Sequence, residues 1–92
     1  MDDERQTGRT TNQMLNAPSN SIYVWVNNHL DYPRRLAYRL GRSDLKIVRV
    51  DGLKDAVIGG HESVVIDHCA YVDENIRSIL RARIYPQETK VH

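Results

Sequence analysis

A small α/β domain is the fold this sequence predicts: a minimal three-stranded, mostly parallel sheet with helices packed on it, Rossmann-like in its βα-β(α)-βα order, behind a disordered N-terminal arm. Three observations predict it. Two short runs, Ile22-Tyr23-Val24-Trp25-Val26 and Ser63-Val64-Val65-Ile66, are apolar without alternation, as in strands buried on both faces. A third run, Leu45 to Val50, is interrupted by Lys46 and Arg49, as near a sheet edge. Between and after these runs lie segments with helical spacing, and strands that alternate with helices imply crossover connections and a parallel sheet.

Apart from Met1, residues 1–20 contain only Met14 and Leu15 as large apolar side chains among Thr, Asn, Gln, Gly, Pro and charge. Such a composition does not bury enough surface to offset ordering entropy, so the segment reads as a flexible arm. The domain proper is expected over 21–86, with 87–92 as a C-terminal tail. Strand 22–26, the most apolar, belongs in the middle of the sheet. Asn27-Asn28-His29 ends it, and Asp31-Tyr32-Pro33 opens a helix, since proline is tolerated in a first turn where its missing N–H has no partner to lose. Leu36, Ala37 and Leu40 share one face of that helix, and Gly41 stands where a left-handed residue closes it. The strand at 45–50 ends at Asp51-Gly52, and residues 53–60 carry enough apolar side chains for a short helix or turn. After strand 63–66, Asp73 is an N-cap for a helix that places Ile76, Ile79, Leu80 and Ile84 inward and ends before Pro86.

Composition bounds the function. With 92 residues, 40% apolar and 27% charged, the chain is too apolar for a disordered tail and has room for one domain. Its opening, MDDERQTGRTTNQ, is polar throughout, so neither a signal peptide nor a membrane anchor is expected. The single Cys69 leaves no internal disulfide, and a reducing, cytoplasmic location is the expectation. The net charge of +1 hides a segregation: residues 30–50 carry +4, while 51–75 carry −5, six acids against Lys54 alone. A dipole of this kind steers charged partners.

Ligands of open parallel sheets bind beyond the carboxyl ends of the strands. Here those ends supply Asn27, His29, Asp51, Asp67 and His68, a rim that offers acid/base groups or a small-ligand site. Val64-Val65-Ile66-Asp67 looks like the strand that ends on a magnesium-holding Asp in P-loop ATPases. The companion glycine-rich loop with its lysine is missing after strand 22–26, and so is G-x-G-x-x-G. A degenerate nucleotide-binding domain is therefore only an alternative, and no cofactor or metal is expected. Cys69 beside His68 does not form a nucleophile–base pair, because neighbours in sequence point in different directions; a small buried thiol is the commoner fate. The four histidines lack ligand spacing, and no catalytic motif is present, so the chain reads as non-enzymatic.

The arginines carry the stronger signal. Arg35, Arg39 and Arg42 fall at i, i+4 and i+7 of the first helix with Arg34 beside them, and Tyr32 and Tyr38 are interleaved. Arg77 and Arg81 repeat the i, i+4 spacing near the end. Arginine pairs bidentately with carboxylate or phosphate, and Arg and Tyr are enriched at interaction hot spots. The expected contact set is Arg34, Arg35, Tyr38, Arg39 and Arg42, with an acidic protein surface as partner. Nucleic acid is the alternative, and it ranks second because the acidic segment repels phosphate and the sequence pI of about 7.9 lies below the usual range of nucleic-acid domains.

The stretch Ala17-Pro18, Ser21-Ile22-Tyr23-Val24-Trp25-Val26, Asp31-Tyr32-Pro33-Arg34-Arg35-Leu36-Ala37 and Leu40-Gly41-Arg42-Ser43-Asp44-Leu45 resembles short uncharacterised α/β proteins encoded by tailed phages. The resemblance covers residues 17–50 and carries no catalytic motif. It implies a phage-type factor that binds, modulates or inhibits a host protein.

Overall fold

The computed structural model describes residues 2–26 and 29–85. A three-stranded sheet in the order β2-β1-β3 forms its centre, with β1 at Ile22–Trp25, β2 at Lys46–Arg49 and β3 at Val64–Ile66. Both pairings are parallel: Tyr23 lies opposite Ile47 on one side and Val65 on the other. The expected α/β fold is therefore observed, with the most apolar strand in the middle. Among the described residues four α-helices cover the sheet, α1 at Asp2–Asn16, α2 at Asp31–Arg39, α3 at Leu53–Val57 and α4 at Glu74–Ile79.

The strand run is apolar on both sides because the sheet has a core on each face. Tyr23 and Val65 join Met14, Ala17, Leu36, Ala37, Leu45 and Ile47 under α1 and α2. Ile22, Val24 and Val64 join Leu53, Val72 and Leu80 under α3 and α4. Pro33, Leu36 and Ala37 are the buried residues of α2, which follows from their i, i+3, i+4 spacing.

Helix α2 ends in a Schellman turn. The Arg42 N–H donates to the Ala37 carbonyl at 2.7 Å and the Gly41 N–H to that of Tyr38 at 3.1 Å, with Gly41 at a φ of 74°. A Cβ at Gly41 would meet nothing within 4 Å, so any penalty there is backbone strain alone. Gly41→Ala is expected to lower stability by about 1–2 kcal/mol in urea titration, the cost of a left-handed L-residue.

Within the segment read as an arm, residues 10–17 pack against the sheet: Thr10, Gln13 and Met14 of α1 and Ala17 just after it fall at i, i+3, i+4 and i+7, and Met14 is fully buried. Only two of those four side chains are apolar, so the hydrophobic pattern was faint; the other two find polar partners across the sheet end. Ile79 does not point inward. It is 79% exposed, because α4 stops there and a 3-10 turn over Arg81–Arg83 follows, while Leu80 takes the buried position. Asp73 caps α4 as expected, accepting from the Asn75 N–H at 3.3 Å. The tail at 87–92 lies outside the described residues.

Candidate functional site

Burial of Pro33, Leu36 and Ala37 fixes which way the rest of α2 faces. Arg34, Arg35, Tyr38 and Arg39 are left on the solvent side, as two i, i+4 pairs, and together they line a shallow depression. Tyr38 is 76% exposed. Among the described residues, none of the three arginine side chains makes an ion pair or a hydrogen bond. A guanidinium without an internal partner keeps all its donors for an incoming anion. At the start of the helix Tyr32 is steadied by Trp25, whose ring lies 5.8 Å away at a tilt of 43°.

Arg42 is not part of this face. The left-handed turn at Gly41 swings it off the helix, and its guanidinium reaches back to the end of α1. It donates to the carbonyls of Met14 at 2.6 Å, Leu15 at 3.2 Å and Pro18 at 3.2 Å. Its Nε also donates to Asp44 at 3.1 Å. These bonds, with the Asn20 N–H, hold the Asp44 carboxyl down to about 2. Arg42 is thus a clamp between α2 and α1. Arg83 does the same work on the opposite face, donating to the carbonyls of Glu62 at 2.9 Å and Val57 at 3.1 Å. Arg77 and Arg81 do not form a helical pair, since α4 ends between them.

At the carboxyl end of the sheet the polar rim divides. Asp67 is 1% exposed and joins three elements. It accepts from the Tyr23 hydroxyl at 2.6 Å, the Thr10 hydroxyl at 3.1 Å and the Cys69 N–H at 3.1 Å. Burial first, then the Asp67 hydrogen bond and charge, push the Tyr23 phenol far above its ordinary range, so it stays a donor. Gln13 bridges α1 to the same strand end: its amide donates to the Ile66 carbonyl at 2.9 Å and its oxygen accepts from the His68 N–H at 2.8 Å. The His68 Nδ1 lies 3.3 Å from that oxygen and 3.7 Å from Asp67, while Nε2 is buried without a hydrogen-bond partner among the described residues.

The rim was expected to unite His29, Asp51, Asp67 and His68. Among the described residues it unites Asp67 and His68 with Cys69, whose ligand atoms lie within 4.8 Å of one another. His29 and Asp51 are exposed and outside that group, Asp51 facing Arg49 at 3.6 Å. Asn27 lies outside the described residues. Cys69 is exposed rather than buried, because the Asp67–Ala70 turn, closed by an Ala70 N–H bond to the Asp67 carbonyl at 2.9 Å, puts it at the outer corner. Both Asp67 oxygens already accept internal hydrogen bonds, so this cluster fastens α1 to the sheet.

Fold and site together define a class: a three-stranded, all-parallel α/β domain that presents an exposed basic helix face. Protein-family models, curated proteins and solved structures give no match to the chain. Among the described residues no helix is long and apolar enough to cross a membrane.

Proposed function

We propose that this protein is a non-enzymatic binding protein that acts by protein–protein interaction, with the basic face of α2 set against an acidic surface of its partner. One observation carries the reading: the side chains of Arg34, Arg35 and Arg39 stand around the exposed Tyr38 with no ion pair or hydrogen bond among the described residues. Arginines that serve the fold here look different, as Arg42 and Arg83 do, each with carbonyl and carboxylate partners. An unsatisfied arginine cluster beside tyrosine is the composition of an interaction hot spot. The reading fits a phage-type factor that binds and redirects a host protein.

Arg35→Glu with Arg39→Glu tests it. Both residues are exposed and make no fold-supporting bond, so thermal unfolding is expected to shift little. A partner captured on the immobilised wild-type chain and then titrated against both forms should bind the double variant about thirtyfold more weakly, roughly 2 kcal/mol. Equal affinity would remove this face from the reading. Labelled DNA and RNA, titrated at low and near-physiological salt, test the nucleic-acid alternative. A steep salt slope abolished by the same two changes would transfer the arginines to a phosphate backbone.

A further inference from the structure

The two edges of the sheet are not equivalent. At β3 the outward carbonyls are taken: that of Val64 accepts the Tyr85 N–H at 2.8 Å, beside a bridge to Ile84, and that of Ile66 accepts the Gln13 amide at 2.9 Å. At β2 the Lys46 N–H donates inward to the Ser21 carbonyl at 2.9 Å. Backbone groups alternate along a strand, so Ile47 and Arg49 turn their N–H groups to the open side. Among the described residues nothing pairs with that side. Next to it runs a groove between β2 and α2, floored by Ala37 and Ile47 and rimmed by Arg34, Tyr38, Ser43 and Lys46.

We propose that the β2 edge and this groove receive an extended acidic segment of the protein partner, which hydrogen-bonds to β2 as a fourth strand. The proposal rests on the α2 reading and gives the partner its conformation. Strand addition in a groove between an edge strand and a helix is a recurrent mode of peptide recognition. Charge selects the occupant. Among the described residues, Lys46 and Arg34 make no ion pair, and Arg49 meets the exposed Asp51 at 3.6 Å. Asp44, between the groove residues Ser43 and Leu45 in sequence, is held by Arg42 and the Asn20 N–H. A second copy fits badly: antiparallel pairing of two β2 strands through the outward Arg49 sets it against Arg49 of the other chain, and like charges directly opposite destabilise a ladder. The same cations that discourage self-pairing favour a segment bearing carboxylates on both sides of its backbone.

Arg49 offers a specific test. Its φ of −81° in extended backbone suits proline, and by strand alternation its N–H faces out, so Arg49→Pro removes the edge donor without breaking the sheet. Arg49→Ala removes the charge alone. The probe is a fluorescein-labelled decapeptide of paired Glu and paired Thr residues, Glu-Glu-Thr-Thr repeated, which puts carboxylates on both sides of an extended backbone; it is titrated by anisotropy against the full-length chain at low salt, with circular dichroism as the folding check. Arg49→Pro is expected to bind about fivefold more weakly than Arg49→Ala, the worth of one hydrogen bond. Equal binding by the two variants would overturn strand addition. The α2 reading then stands if Arg35→Glu with Arg39→Glu still weakens the peptide, and falls with it if not. No binding of the peptide to the wild-type chain, or tighter binding of labelled single-stranded RNA with the two Arg49 variants equal, would also overturn the proposal. Should Arg49→Pro not fold, amide exchange of the wild-type chain decides: peptide must slow exchange at Ile47 and Arg49, and unchanged rates there would overturn it.

Discussion

Asp67→Ala should lower the unfolding free energy by about 3 kcal/mol or more, the largest effect of any single change to a polar group in this chain. The carboxylate is buried where β3 ends and accepts from a β1 tyrosine, an α1 threonine and the N–H of its own turn. Hydrogen bonds to a charged acceptor contribute about 1.5–3 kcal/mol each, and truncation strands the Tyr23 hydroxyl in an apolar core. Asp67→Asn should cost less, since its oxygen still serves Tyr23 and Thr10, but its amide NH₂ then faces the Cys69 N–H. Urea unfolding of both variants, with Tyr23→Phe completing a double-mutant cycle, measures the coupling. A loss below about 1 kcal/mol for Asp67→Ala would mean that the three donors find other partners.

Arg42→Ala should destabilise the fold by about 2–3 kcal/mol, as charge-assisted bonds to a helix end are lost. In contrast, Arg35→Ala and Arg39→Ala should fall within about 0.5 kcal/mol of wild type, as surface changes do. Arg42 also sets an acid dependence. Its bonds, chiefly, hold the folded Asp44 carboxyl down to about 2, below the unfolded carboxylate range. A depressed folded value stabilises the protein above the unfolded pKa, and that contribution is lost as pH falls through the folded one. Wild-type stability should therefore decline between about pH 4 and pH 2 through this group, and Arg42→Ala should flatten that part of the profile. Chemical unfolding of the two proteins across pH 2–6 checks both the magnitude and the sign.

Each of these effects lies where a helix meets the sheet, and there the sequence was least legible. α1 carries Thr10, Gln13, Met14 and Ala17 at helical spacing, a stripe that a search for apolar residues passes over. Its two polar members are buried or half-buried because a carboxylate, a carbonyl and an N–H at the end of β3 answer them. Pairs more than 50 residues apart leave no local mark on the sequence. Arg42 misled for the opposite reason: it sits at i+7 from Arg35, but Gly41 ends the helix first. Gly41 was itself visible as the terminator, so the signal existed and the spacing was extended one residue too far.

What the sequence determined by itself is the sheet and the basic face of α2. Runs at 22–26, 45–50 and 63–66 carry their burial in their composition, and β1, the longest unbroken apolar run, falls between its neighbours. Pro33, Leu36 and Ala37 likewise fix which arginines face water, since helical periodicity is a local property. Tertiary structure alone decided that α1 belongs to the core, that Asp67 is locked away while Asp51 is not, and that β2 rather than β3 keeps an open edge. Those outcomes depend on which distant backbone and side-chain groups satisfy one another, and hydrogen-bond partners are set by the folded geometry that brings them within about 3 Å.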